Sequence, residues 1–522
     1  MIVTTAAEMR RLDTLAIERF GIPAATLMER AGTGAAEMLV ARFPHVRKHG
    51  VVVLAGKGNN GGDGFVVARA LKRRRVRAEV FLAVPVNEIR GPARTKLQAW
   101  QRAGGKVQRL TQENLAPLAR AVTKAGCVVD ALFGTGLAGD VTGFPAELIA
   151  LVNASGVPTI ALDLPSGLDA DRGVPLGVAI EAELTIAFAA PKIGTLIYPG
   201  ARYTGDLAVV DIGIPEAAVI EVAPQTAAVT AADAARLLRP RDVEAHKGTH
   251  GHLAVIAGSL GRTGAAILAA RAAARAGTGL VTVGCPRVVL PIVAGGLLEA
   301  MTWPLPDDGV AALAFDDPEP YRALLADKRA AVVGPGIGAS PEREALVRWL
   351  VTTGALPLVL DADALNCLAT IGPQRDRPAN AAPLILTPHP GEMARLSGQT
   401  TEEVQHDRLA VTRRVATIYD AVVVLKGART ITAAPDGRAW INLSGNAGLA
   451  AGGTGDVLAG IIGGLLAQGY GPEEAAILGV FLHGYAADRI AARRGMIGLI
   501  ASDLIEELPP AMLALAAEAS AW

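Results

Sequence analysis

"VVVLAGKGNNGGDGFVVARAL", residues 51–71, decides the fold of the first half of this 522-residue chain. Its first five residues are a short apolar run rich in β-branched side chains, and from Gly64 onward the apolar residues recur at helical spacing. The glycine cluster between them therefore reads as a strand-to-helix turn. Glycine loses more backbone freedom on folding than any other residue, so five glycines, two asparagines and one aspartate between Gly56 and Gly64 point to positive φ or to backbone lying close against a ligand. A helix N-terminus at such a turn offers free N–H groups to anions. The stretch lacks both the Lys-Ser/Thr end of a P-loop and the G-x-G-x-x-G register of a dinucleotide fingerprint, so neither phosphate motif accounts for it.

The pattern extends outward from there. "AEVFLAV" (78–84), "CVVDALF" (127–133), "VPTIALDLP" (157–165), "LTIAFAA" (184–190) and "LAVVDIG" (207–213) are further apolar runs separated by helical stretches, which predicts a parallel sheet covered on both faces. After an Ala, Pro, Gln and Thr stretch near 222–228 a second series begins. It comprises "HLAVIAG" (252–258), "LVTVG" (280–284), "AAVVGPG" (330–336), "LPLVLDAD" (356–363), "PLILTPHP" (383–390) and "AVVVLKG" (421–427). Two unlike three-layer α/β domains are expected, at 1–222 and 226–522, with ligands outside the carboxyl ends of the strands.

Composition narrows the functions. Fifty basic and fifty acidic side chains cancel, and "KRRRVR" (72–77) reads as the cationic end of a helix, so no nucleic-acid partner is expected. Cys127, Cys285 and Cys367 lie apart among apolar neighbours and read as small buried hydrophobes. The N-terminus has no signal-peptide core, and "VLAGIIGGLLA" (457–467) is too short to span a bilayer. A soluble, cytoplasmic protein without a membrane partner is expected.

In the first half, Asn59, Asn60, Gly61, Gly62 and Asp63, then Asp130, then Asp163 and Ser166 sit at or just after three predicted strand ends. Oxygen donors without clustered Cys or His suit a hard cation, although Asn60 and Ser166 also suit plain turn closure. "GTGLAG" (134–139) reads as a phosphate-approach loop, with a dinucleotide oxidoreductase as competitor. Taken together, "GKGNNGGDGFVVAR", "LMERAG" (27–32), "DALFGTGL", "DLPSGLD" and "APKIG" (190–194) resemble the NAD(P)HX epimerase family over roughly residues 1–220. The resemblance implies a Rossmann-like domain whose residues Asn59 to Asp63 and Gly134, Thr135, Gly136, Leu137, Ala138, Gly139 and Asp140 touch the hydrated nicotinamide nucleotide. It also implies that Asn60, Asp130 and Ser166 hold K+ and that Asp163 contacts substrate. Epimerising a hydroxylated carbon beside the ring nitrogen needs an acid/base group; Asp163 is the candidate and Lys192 a weaker one.

In the second half, "GGTGDVLAG" places Gly452, Gly453, Thr454 and Gly455 directly before Asp456 and an apolar helix. That is an anion hole beside a carboxylate able to take a proton during phosphoryl transfer, or simply an acidic first helical turn. "LTPHPGEMARL" (386–396) presents His389 and Glu392 on a rigid turn, and "VLKGART" (424–430) ends a strand with Lys426 and Gly427. "DADAL" (361–365) puts Asp361 and Asp363 at a strand end with open roles. With "HKGTHGHLAVIAGS", "GPGIG" (334–338) and "LHGYAAD" (482–488), this ordered set resembles the ADP-dependent NAD(P)HX dehydratases, a ribokinase-like fold, over about 226–510. The resemblance implies that Lys426, Gly427, Ala428, Arg429, Thr430 and Gly455 bind the adenine nucleotide, and that Ala265, Gly336 or Gly338, His389 and Asp456 line the hydrate pocket. Ala447 and Ala451 stand where Pro and Thr are common, and Arg429 lies in the nucleotide loop; these departures touch nucleotide preference. The expected function is repair of NADHX and NADPHX by epimerisation and ADP-driven dehydration, with Mg2+ accompanying ADP, in a homo-oligomer. The alternative is a vitamin-precursor kinase fused to a nucleotide-binding domain.

Overall fold

The computed structural model describes residues 1–374 and 376–520. The chain divides into two compact units, one of Ile2–Thr226 and one from Ala227 onward that also takes in Met1. In the first unit seven parallel strands lie in the spatial order Val107–Arg109, Ala78–Leu82, Val51–Ala55, Cys127–Ala131, Thr159–Leu162, Leu184–Phe188 and Asp206–Val210. The chain thus runs outward from Val51–Ala55 in one direction, then resumes beside it at Cys127–Ala131 and runs the other way. This reversal makes the gap between those two strands a topological switch point, open at their carboxyl ends.

Both faces of that sheet are covered. Val51, Val53 and Ala55 pack with the helices Ala24–Arg42, Asn59–Arg73 and Gly91–Arg102, whereas Val52 and Leu54 pack with Leu118, Leu148 and Val152 on the other side. Alternate residues of one strand serve two cores, so the run is apolar at every position rather than alternating.

The second unit repeats the scheme. Met301–Leu305, Leu280–Pro286, His252–Ile256, Ala330–Val333, Leu358–Leu360, Leu384–Leu386 and Val422–Leu425 are parallel in that spatial order, and the antiparallel strands Ile431–Ala433 and Ala439–Asn442 follow. Its switch point lies between His252–Ile256 and Ala330–Val333. Met301–Leu305, Val107–Arg109 and the hairpin 431–442 carry no strong apolar pattern, and the sequence reading does not foresee them. The apolar, glycine-rich run 457–467 lies in the helix Thr454–Ala467, buried against the helix Thr263–Arg275. Among the described residues no helix is long and apolar enough to cross a membrane. Cys127, Cys285 and Cys367 are buried thiols, and the basic run at 72–77 ends its helix as expected, with Lys72 on the Ala103 carbonyl at 2.7 Å.

The opening stretch differs from its sequence reading in one respect. The helix begins at Asn59, so Asn59 to Asp63 form its first turns rather than a loop, and none of Gly56, Gly58, Gly61, Gly62 and Gly64 has positive φ. The glycines are demanded by protein contacts instead. A Cβ at Gly56 would lie 2.0 Å from the Leu132 carbonyl oxygen, one at Gly61 2.1 Å from that of Gly56, and one at Gly64 2.7 Å from the Ala131 Cβ. The helix start is seated directly on the strand ends, and any side chain would lift it off. Gly61→Ala is therefore expected to cost about 1–3 kcal/mol, the range for overpacking a close-packed site. Urea unfolding of the first unit reads this out, and a wild-type midpoint for that variant would contradict the seating argument.

Candidate functional site

The first rim is organised around the backbone of Phe133. Asn60, in the first turn of its helix, donates Nδ2–H to the Phe133 carbonyl at 2.7 Å, and the Phe133 amide donates to Ser166 Oγ at 2.8 Å. Ser166 in turn donates Oγ–H to Asp130 Oδ1 at 2.6 Å and its amide to Oδ2 at 2.8 Å. Asn60, Asp130 and Ser166, from three parts of the chain, meet in one buried cluster. Burial pushes the Asp130 carboxyl up to about 6, against the pull of the Ser166 and Leu132 hydrogen bonds. Turn closure explains these bonds but leaves one atom unexplained: among the described residues, Asn60 Oδ1 is buried without a hydrogen-bond partner. An orphaned buried acceptor costs about 1–3 kcal/mol.

Next to this cluster lies an ion pair. Lys192, fully buried, donates to the Asp163 carboxylate and to the carbonyls of Ala190 at 3.1 Å and Phe188 at 3.3 Å. Asp163 (φ 68) and Ala189 (φ 61) both leave their strands in the left-handed region. Such residues are uncommon outside glycine and gather where a rim is shaped for a ligand. Asp63, buried on the Asn59–Arg73 helix, has its carboxyl raised well above the usual range by burial and by the charges of Asp163 and Asp13. Asp13 is pushed up to about 6 by burial, opposed by Lys192 and reinforced by Asp163.

Asp13 is absent from the sequence reading. Its signal was present, since Met9, Leu12, Asp13 and Ala16 follow i, i+3, i+4, i+7 and place a carboxylate on the apolar face of the helix Ala6–Glu18. Of the 134–140 loop, Gly134 lies against Asn60, with a would-be Cβ 3.4 Å from the Asn60 Cβ; Gly136, Ala138, Gly139 and Asp140 are exposed, as is Asn59. The next helix starts only at Gly143, so "GTGLAG" does not open a helix as a dinucleotide fingerprint would.

The second rim is a chain of contacts across five strand ends. The helix Thr454–Ala467 starts from Gly453 in the left-handed conformation (φ 85), and the first backbone bond back to it comes from Val457, which leaves the amides of Thr454, Gly455 and Asp456 without intrahelical acceptors. Buried His483 fixes this helix start through Nε2 and the Thr454 carbonyl at 2.9 Å; burial pulls its pKa down to about 4, so it is a neutral donor. Burial, reinforced by Asp361 and opposed by Lys426, pushes the Asp456 carboxyl up to about 6.

Gly455 faces Lys426, whose Nζ lies 3.5 Å from the position of a Cβ there. Lys426 is paired with buried Asp361 at 2.7 Å, which also accepts from Thr387 Oγ1 at 2.7 Å, and lies 3.8 Å from Glu392. Burial disfavours the lysine charge, but Asp361 and Glu392 outweigh it and raise the pKa. His389 caps the helix Pro390–Ser397: its Nδ1 accepts from Gly391 at 3.0 Å, while its amide donates to Glu392 at 2.8 Å. The imidazole is about half exposed, so it sits at the edge of the rim. Burial pushes the Glu392 carboxyl up to about 7.

Asp361 and Asp363, with open roles in the sequence, now separate. Asp363 Oδ2 accepts from the Gly338 amide at 2.8 Å and from Arg262 at 3.2 Å, holding the "GPGIG" turn, whereas Asp361 neutralises Lys426. Ala362 between them has φ 49, which turns the two carboxylates onto different partners. Gly336 lies against Ala265, with a would-be Cβ 3.3 Å from the Ala265 Cβ. Ala428 is exposed, Thr430 Oγ1 donates to the Gly427 carbonyl at 2.9 Å, and Arg429 (φ 56) donates to the Leu443 carbonyl at 2.7 Å.

Residues 24–194 match the family described as YjeF-related protein N-terminus, and residues 253–510 the family described as NAD(P)H-hydrate dehydratase. The chain is 45% identical over 511 residues to the bifunctional NAD(P)H-hydrate repair enzyme Nnr of Moorella thermoacetica, covering 98% of this chain and 96% of that one. It is 38% identical over 510 residues to the enzyme of the same name from Escherichia coli, covering 96% and 92%. Among solved structures, the ADP/ATP-dependent NAD(P)H-hydrate dehydratase from Bacillus subtilis, co-crystallised with ATP and Mg2+, is similar with a TM-score of 0.48 and 34% identity over 55% of this chain and 98% of that chain. Relatives that share both halves leave no place for a vitamin-precursor kinase fused to an unrelated binding domain, and the chain belongs to the bifunctional NAD(P)H-hydrate repair enzymes, an epimerase domain followed by a dehydratase domain.

Proposed function

We propose that the two rims divide the repair of hydrated NADH and NADPH between them. The first interconverts the R and S hydrates, and the second returns the S hydrate to the reduced cofactor while ADP becomes AMP and phosphate. The observation that carries this reading is Asp456. It stands in the first turn of a helix with three free amides, and its raised pKa still leaves it ionised at neutral pH.

Hydroxide is a poor leaving group, but a phosphorylated oxygen departs readily when the ring nitrogen pushes electrons toward the carbon it leaves. Asp456 takes the proton of the hydrate hydroxyl as that oxygen attacks the terminal phosphorus of ADP, and the bond to AMP breaks. A base with a pKa near the working pH is the most effective for such a transfer. The amides of residues 454–456 face the developing charge, with the glycines letting the phosphoryl group approach backbone. Phosphate then leaves carbon, the neighbouring carbon gives up a proton, and the dihydronicotinamide ring is restored. Lys426 to Thr430 with Gly455 hold the nucleotide, and Ala265, Gly336, Gly338 and His389 border the hydrate. When bound with ADP, Mg2+ would offset phosphate charge, and Glu392 and Asp361 are the hard oxygen donors on this rim that would hold it.

In the first unit, Asp163 serves as the acid/base group beside the hydroxylated carbon. Lys192 pairs with it and fixes its direction, while Asn59 to Asp63 and the 134–140 loop receive the dinucleotide. The orphaned Asn60 Oδ1 favours a cation at Asn60, Asp130 and Ser166, and a site with one carboxylate among neutral oxygens suits a monovalent ion such as K+. When bound, K+ would hold the helix start and the Phe133 turn together and draw the Asp130 pKa down.

Mixed R and S hydrates with ADP test the assignment of roles through recovery of dihydronicotinamide absorbance. Asp456→Ala is expected to abolish recovery, a loss of at least about 100-fold. Asp163→Ala is expected to leave fast recovery of the S fraction and slow the rest to the spontaneous rate; unchanged consumption of R would contradict the role of Asp163. Because Asp456 is protonated below its pKa of about 6, the wild-type dehydration rate should fall as pH drops through that value and level off above it. A pH-independent rate from 5 to 8 would exclude Asp456 as the base.

The cation has a readout independent of activity. K+ should raise the melting temperature of the first unit relative to equal concentrations of tetramethylammonium, and Asn60→Leu should remove the difference. Equal stabilisation of wild type and variant would contradict the cation site.

A further inference from the structure

Arg408 is the residue that the roles assigned so far leave unexplained. It is 4% exposed, and among the described residues its guanidinium has no carboxylate within ion-pair distance, whereas the other buried cations, Lys96 and Lys192, are paired with Glu29 and Asp163. Among the described residues its Nε has no hydrogen-bond partner, and Nη2 reaches only the carbonyls of Leu425 and Lys426, both at 3.4 Å. Burial draws its pKa down to about 10, so it stays charged at neutral pH. Arg408 is also the first residue of the helix Arg408–Tyr419, the end at which the helix dipole disfavours a cation. Burial, missing counter-charge and helix position all oppose this side chain, so stability does not account for it.

What it faces is the nucleotide loop. A Cβ at Gly427 (φ 136) would lie 2.9 Å from Nη1 and 3.1 Å from Nη2, so the guanidinium packs directly against the backbone of the exposed Gly427. The loop lysine cannot provide net positive charge, because Lys426 is neutralised by Asp361 at 2.7 Å with Glu392 a further 3.8 Å away. Arg429 is turned to the Leu443 carbonyl. A diphosphate brought to this loop therefore meets the carboxylates around Lys426 and, against Gly427, one cation without a carboxylate partner among the described residues.

We propose that Arg408 is the positioning residue for the diphosphate of the nucleotide: it holds the Leu425–Gly427 turn by its carbonyls, and the bound phosphates supply its missing counter-charge. The inference rests on Lys426 to Thr430 being the nucleotide loop. It acts on ADP binding rather than on the proton transfer at Asp456.

The test uses the full-length enzyme with mixed hydrates, titrating ADP. For Arg408→Met, of similar length but neutral, the KM for ADP should rise about tenfold or more, roughly the worth of one charge-assisted contact. The KM for the hydrate and kcat at saturating ADP should stay within about threefold, and the melting temperature without nucleotide should be equal or higher, since an unpaired buried charge has been removed. Arg408→Lys should restore most of the ADP affinity. Should the Met variant fail to fold, Arg408→Gln, which keeps hydrogen bonds but not charge, carries the same expectation. A folded neutral variant with wild-type KM for ADP would overturn the proposal, as would a parallel loss of melting temperature and kcat with no ADP-specific change. No ADP-dependent recovery in the wild type would instead overturn the nucleotide-loop reading beneath it.

Discussion

The structure depends on one steric condition, that a helix N-terminus be seated on the strand ends at a switch point with no side chain between. In the first unit Gly56, Gly61 and Gly64 leave room for the Leu132 and Gly56 carbonyls and the Ala131 side chain. In the second unit the close approach comes further along the helix Thr454–Ala467, against a neighbouring helix and a strand: a Cβ at Gly460 would lie 2.2 Å from the Ala269 carbonyl, and one at Gly463 2.2 Å from Val332 Cγ2. Glycine costs each helix about 1 kcal/mol per residue relative to alanine. That cost brings Asn60 and Asp63 in one unit, and Gly455 and Asp456 in the other, within reach of groups arriving from neighbouring strands.

A second regularity follows from that geometry. Each rim holds a buried or mostly buried lysine against an aspartate at a strand end, Lys192 with Asp163 and Lys426 with Asp361. Each also has a further carboxylate raised by burial, Asp63 in one and Asp456 in the other. Burying an ion pair gains little net stability, because desolvation offsets attraction. What the pairs do is balance charge: each lysine is offset by the aspartate beside it, while the remaining carboxylate is raised above its usual range chiefly by its own burial. The two units also share the spatial order of their seven parallel strands, although their motifs do not align in sequence.

The sequence was legible where chemistry and periodicity coincide. Apolar runs at 51–55, 127–131 and 252–256 became the central strands, because burial on both faces leaves an unmistakable pattern. Asn60, Asp130 and Ser166 were legible as oxygen donors at predicted strand ends, and their grouping as one set is what the family resemblance implies. Glycine conformation was not legible: the cluster at 56–64 looked like a loop needing a ligand, and only the packed structure reveals that backbone of the same unit occupies the space. Partnerships across the rim were likewise hidden, since nothing local distinguishes Asp361, which neutralises Lys426, from Asp363, which holds Gly338. Asp13 and Arg408 were missed although both break a local rule, a carboxylate on an apolar helix face and a cation at a helix start. Residues that violate local preference without a visible partner are where function is most worth seeking.

The central claim is that the hydroxyl of the S hydrate, deprotonated by Asp456, becomes a phosphate ester before it leaves. The most direct measurement is to label that hydroxyl with a heavy oxygen isotope, supply ADP, and weigh the inorganic phosphate released. The account predicts one labelled oxygen in each phosphate formed per ring restored, with none in AMP. Label recovered in water, with unlabelled phosphate, would show that the hydroxyl departs without accepting the phosphoryl group and would contradict the account.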